Sequence, residues 1–140
     1  MNIENVNKAI DVMERVKARG DNFDLSTWQG GFDGGVIARE EDLHMCGTSA
    51  CFAGWVAVSP EFQEDGGEVE FSGSPRYSAC EGEAAIREWL NLPHREAADL
   101  CGIEGGWQAY GKHHCDVTVD DVLAALYRLR DTGSPYPKQM

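Results

Sequence analysis

The sequence predicts a mainly α, compact single domain of four or five helices with one small β-hairpin near residues 67–79, α+β being the alternative class. Three observations predict it. Apolar residues recur at three- and four-residue spacing in two long stretches, 2–19 and 118–133. Residues that start and stop helices bracket both stretches. With 140 residues, 42% of them hydrophobic and 26% charged, the chain has the composition of a globular domain large enough to bury a core.

The first helix carries Ile3, Val6, Ile10, Met13 and Val16 on one stripe. Arg15, Lys17 and Arg19 suit its negative end, and Gly20 is the expected stop. Phe23 to Trp28 alternates weakly and reads as a short extended piece. Gly30-Gly31 and Gly34-Gly35 then mark a loop. A helix is expected from Thr48, as N-cap, to Ser59, with Cys51 in its first turn and Pro60 beyond its end. It is nearly apolar all round, so it is expected at the centre of the core, between the first and last helices, with Trp28 and Trp55 as core residues. Val69 and Phe71 alternate with charge before the Ser72-Gly73-Ser74-Pro75 turn, which is the hairpin signal. Ser78-Ala79-Cys80-Glu81 has the form of a capping box and predicts the start of a helix bearing Ala85, Ile86, Trp89 and Leu90. Pro93 opens a short helix over 93–101, stopped by Gly102. A Gly-rich loop follows over 102–117. The last helix is capped by Thr118, carries Val119, Val122, Leu123, Leu126 and Leu129, and ends at Gly133. The domain is therefore placed at 1–133, with 134–140 a frayed tail.

Charge narrows the function classes. The chain has 12 Lys and Arg against 24 Asp and Glu, a net charge of −12. Binding to a phosphate backbone needs clustered cations to replace counterions, so direct nucleic-acid binding is excluded. A partner protein with a basic surface fits the charge, and solubility alone would also explain it. No stretch of 18 apolar residues suggests a membrane span, and Glu4 and Asp11 interrupt any export signal, so a cytoplasmic protein is expected. Five cysteines, an odd number, then read as reduced thiols rather than a disulfide framework.

The stretch Cys46-Gly47-Thr48-Ser49-Ala50-Cys51-Phe52-Ala53-Gly54-Trp55 concentrates the chemistry. Two thiols at a helix start suit a thiolate, a metal ligand or a bound anion, and they equally suit a tightly packed helix. Cys46, Cys51, His113, His114 and Cys115 form the candidate zinc set, with His44, Cys80 and Cys101 in reserve, although C-x4-C is looser than a zinc knuckle. Cys46 with His114 or His44 is the candidate nucleophile and base, without an orienting residue or oxyanion loop to complete it. No phosphate-binding, dinucleotide, metalloprotease or serine-hydrolase motif is present.

Phe23, Leu25 and Trp28, then Cys46, Gly47, Thr48, Cys51, Ala53, Gly54 and Trp55, then Leu90-Asn91-Leu92 and the capped helix from Thr118 to Leu129 form a recognisable series. It resembles a loose group of small proteins of bacteriophages and of actinobacterial and other bacterial genomes. These share a C-G-T-x-x-C-x-A-G-(W/H) motif, an L-G-L corner and a capped last helix. The resemblance covers about half the chain. Asn91 departs from it where Gly is the rule, and Cys101 where an aromatic residue is. It implies a shared core and a phage origin, and no reaction.

The expected function is a small acidic cytosolic module that binds a host or partner protein with a basic surface, in its extreme form by mimicking nucleic-acid charge. No catalytic residue and no cofactor is expected. Glu61, Glu64, Asp65, Glu68 and Glu70, with Trp107 and Tyr110, are the candidate partner-binding residues. The alternative is a zinc module built on the set above.

Overall fold

A computed structural model describes residues 1–20, 22–23, 39–41, 49–70, 73–101 and 116–136. The fold is mainly α, as the periodicity predicts. Six helices stand among the described residues, with one parallel strand pair and a three-stranded antiparallel sheet.

Helix α1 (Ile3–Arg19) is capped by Asn2, whose side-chain oxygen accepts from the Asn5 N–H at 3.1 Å, and ends at Gly20 in the left-handed region, φ 69°. Val6, Ala9, Ile10, Val12, Met13 and Val16 are buried. Ile3 continues the stripe but remains 45% exposed, because the core ends one turn short of the helix start.

Strands β1 (Asn22–Phe23) and β2 (Ser49–Ala50) pair in parallel, Asn22 opposite Ser49 and Phe23 opposite Ala50. This pairing corrects the expected helix start. Extended backbone at Ser49 and Ala50 is incompatible with a helix from Thr48, so α2 is Phe52–Val58 and Cys51 is its N-cap. All seven residues of α2 are buried. Ser59 ends α2 and caps a further short helix, α3 (Pro60–Glu64), that the sequence reading did not anticipate.

The expected hairpin is present as β3 (Glu68–Val69) and β4 (Pro75–Tyr77), and a third strand, β5 (Cys80–Glu81), extends it. The capping box at Ser78 is not formed. Ser78 and Ala79 instead make the two-residue turn between the paired Tyr77 and Cys80, with φ 53° and 66°. Positive φ at both central residues matches the twist of a tight hairpin. Helix α4 (Glu83–Leu90) therefore starts later, after Gly82 and without a side-chain cap. Asn91 takes the left-handed conformation at φ 54°, which explains how Asn serves where Gly is usual. Helix α5 is His94–Leu100, with Pro93 one position earlier than expected, at the N-cap. Helix α6 (Val119–Thr132) has the expected Thr118 cap, completed into a capping box by Asp121, and ends at Gly133.

Two residues of the expected tail, Pro135 and Tyr136, contact the domain. Pro135 is buried, its carbonyl accepts from Arg128 Nε at 2.9 Å, and the Tyr136 hydroxyl donates to Asp99 Oδ2 at 2.7 Å. Residues 137–140 lie outside the described residues.

Helix α1, rather than α2, is the hub. It packs along α6 directly and also meets α2, α3 and α4. The expectation that the cysteine-bearing helix lies between the first and last helices is thus overturned: the two long amphipathic stripes face each other, and α2 packs on another side of α1. Trp55, Trp89, Phe52 and Phe62 are the largest fully buried side chains. Phe62 stands edge-on to Trp89, with ring centroids 5.2 Å apart.

Candidate functional site

The acidic segment after α2 divides between two roles. Ser59 explains its start: the hydroxyl accepts from the Phe62 N–H at 3.3 Å and donates to the Val56 carbonyl at 2.7 Å, while Pro60 fills the first helical position. The resulting turn of α3 places Glu61, with the following Asp65, toward α1.

Arg15 of α1 meets Glu61 with Nη1 at 2.6 Å and Nη2 at 2.7 Å, and meets Glu40 with Nε and Nη2 at 3.0 Å each. Such forked guanidinium–carboxylate pairs are directional as well as strong. Arg19 adds a bond to Glu40 at 3.1 Å and lies over the Trp55 ring, 5.8 Å from its centroid. Farther along the same seam, Lys8 holds both oxygens of Asp65 at 2.9 and 3.1 Å, and the Trp89 indole donates to Asp65 at 2.9 Å.

Burial works to raise the Glu61 carboxyl, but the bonds from Arg15 outweigh it and hold the group below its ordinary range. Asp65 shows the same contest. Burial pushes it up, and the bonds from Trp89 and Lys8 leave it low. The Arg15 cation is correspondingly stabilised, first by Glu61 and then by Glu40.

Glu61 and Asp65 therefore tie α3 to α1. Glu64 and Glu68 are exposed, and Glu70 is half-buried with its Oε1 3.3 Å from Arg76 Nη1. Register places Arg76 opposite Glu68 on one side and Glu81 on the other. Glu81 was missed because it was read as a capping residue. The alternation of Pro75, Arg76 and Tyr77 around a two-residue turn was the signal that could have found it. Trp107 and Tyr110 lie outside the described residues.

Six of the ten described Lys and Arg side chains, Lys8, Arg15, Lys17, Arg19, Arg76 and Arg130, pair with a carboxylate of the chain itself. Glu4, Glu64, Glu68, Glu81 and Glu88 are exposed, and none of them has an ion pair among the described residues.

The cysteines have structural positions. Cys51 Sγ accepts from the Gly54 N–H at 3.3 Å and is buried. Cys101 closes α5 in the core, and its thiol is pushed well up, first by burial and then by the neighbouring Cys51 and Glu83. Cys80 is half-buried in β5. His44, Cys46, His113, His114 and Cys115 lie outside the described residues, so the candidate zinc set and the candidate nucleophile–base pair are not assembled here. Among the described residues no three His, Cys, Asp or Glu side chains gather as a metal site.

These features define a mainly α domain. Comparison with models of protein families, with curated proteins and with solved structures finds no match. Among the described residues no helix is long and apolar enough to cross a membrane.

Proposed function

We propose that the chain is a non-enzymatic acidic module that binds a basic surface of another protein, a phage product acting on a host protein inside the cell. One observation carries this reading. The net charge is −12, and Glu64, Glu68 and Glu81 are exposed without an ion pair among the described residues. An outward negative field of this kind speeds encounter with a basic partner and repels nucleic acid. In the extreme form the exposed carboxylates take the place of phosphates on a nucleic-acid-binding protein. The phage origin rests on the cysteine-motif resemblance.

The test is capture from a bacterial lysate at moderate salt with the tagged full chain. A specific basic protein is expected, released by raised salt and lost with the Glu64→Lys/Glu68→Lys variant. No specific partner, or one indifferent to the charge reversal, counts against the reading.

A further inference from the structure

We infer that His94 is a proton-operated latch between α4 and α5, bound to Arg87 when its ring is neutral and to Glu83 when its ring is charged. His94 opens α5, across the Asn91-Leu92-Pro93 corner from α4. Its Nδ1 lies 3.3 Å from Arg87 Nη1 and 3.5 Å from Glu83 Oε1. One nitrogen cannot serve both, since it needs a lone pair to accept from the guanidinium and a proton to donate to the carboxylate. Glu83 Oε1 is buried without a hydrogen bond, and the Glu83 side chain is only 14% exposed. Arg87 can only donate, so its bond to the ring leaves Nδ1 without a proton. The arrangement seen is therefore the neutral one, with a carboxylate oxygen beside the ring that lacks a donor. Glu83 and Arg87 are four residues apart on α4, a spacing at which such side chains pair directly. Among the described residues no ion pair joins them, and the His94 ring meets both instead.

Protonation reverses the pairing. A charged imidazole donates from both nitrogens, so Nδ1 releases Arg87, which like charge repels, and donates to Glu83 Oε1. The ring is exposed, so it exchanges protons with solvent freely, and a small movement closes the 3.5 Å gap to bonding distance. A bond between two charged groups is stronger than the neutral one it replaces. The other groups about the corner leave the choice to His94. Cys101 faces Glu83 from the far end of α5, and burial pushes its thiol well up, so it stays uncharged. Arg95 lies over the Tyr136 ring, and Glu96 faces the chain's N-terminal amine. Histidine ordinarily changes charge between about pH 5 and 8. Mild acidification therefore tightens the corner, and the tie is lost again as the ring gives up its proton.

The test is a titration of the isotope-labelled full chain from about pH 8 to about pH 5, following the His94 ring nitrogens, the Glu83 carboxyl carbon and the Arg87 guanidinium. At the alkaline end the ring is expected in the tautomer with Nδ1 unprotonated. The Glu83 and Arg87 signals should then move with the midpoint of the ring, and His94→Gln, an exposed change that leaves the core intact, should abolish both movements. Amide exchange over 94–100, corrected for its intrinsic pH dependence, should be about twofold slower at the acid end, and Glu83→Gln should remove that difference. A ring protonated on Nδ1 at the alkaline end, or Glu83 and Arg87 signals that stay still while the ring titrates, overturns the latch. Exchange that is the same at both ends, or a difference that persists in His94→Gln, overturns it as well.

Discussion

Helices α6 and α2 meet opposite fates on the way from sequence to structure. In α6 the cap, the buried stripe and the stop all lie within 118–133, and the helix forms where those signals place it. In α2 the residue with the better cap chemistry, Thr48, is passed over for Cys51, a weak sulfur acceptor. The difference lies in the source of stability. A 14-residue amphipathic helix with a capping box carries much of its own specification. A seven-residue helix is too short to be stable alone, so its position is set by what it packs against and by the strand that precedes it.

The comparison predicts a hierarchy of mutational effects. Trp55→Ala, in the middle of α2, should cost about 3–5 kcal/mol, because the helix exists through its packing and Trp55 is fully buried. A urea midpoint unchanged by this substitution would remove α2 from the core. Gly67→Ala comes next. A β-carbon there would collide with the Phe62 ring, which is itself wedged against Trp89, so a loss of about 1–3 kcal/mol is expected. Thermal unfolding that matches the unmodified protein would show that Phe62 can move aside.

The two caps then separate the helices directly. Thr118→Ala should cost about 1 kcal/mol, since it removes the hydroxyl that accepts from the Asp121 N–H while leaving the Thr118 backbone N–H bond to Asp121 in place. Cys51→Ala should lose less through its cap, because at the same 3.3 Å sulfur is a weaker acceptor than a hydroxyl oxygen. An equal or greater cap-specific loss at Cys51 would mean that the thiol does more than cap and pack. Elemental analysis of protein purified without added metal addresses the main alternative. No stoichiometric zinc is expected, and one zinc per chain, lost in Cys51→Ser, would make the cysteine segment the functional centre.

The smallest effects concern pH. Glu61 and Asp65 titrate below their ordinary values of 4.5 and 3.8 in the folded chain. Their pairs with Arg15 and Lys8 therefore contribute fully above those values, and the contribution is lost as pH falls through the lower folded values. Stability should decline on acidification below about pH 4, and Lys8→Met should flatten part of that decline in acid-unfolding curves. At the other extreme Tyr136 is pushed up to about 12 by burial and by its bond to Asp99. Its contribution is present below pH 10 and fades as pH rises toward 12. Tyr136→Phe should remove that alkaline component.

Several features were legible in the residues. Gly20 stops α1, the alternation near Val69 gives the hairpin, and Trp55 enters the core. The acidic segment was legible as composition but not as geometry. Glu61 and Asp65 look the same in sequence as Glu64 and Glu68, and the helical turn of α3 aims the first pair at Arg15 and Lys8. The misread Ser78–Glu81 segment makes the same point, since its capping-box form is also compatible with a tight turn. Pairing of Tyr77 with Cys80 selected the turn.

The chain's residue order set the class of fold, the two long helices and the negative charge, because each depends on local spacing or on simple counting. Which carboxylates serve as internal ties, which cysteine caps α2, and which strand face meets solvent were set by contacts between residues far apart in the chain. Arg15 is 46 residues from Glu61, Lys8 is 57 from Asp65, and Asn22 pairs with Ser49. Local patterns contain no term for such distances, so side chains of the same chemistry acquire different roles when the chain closes.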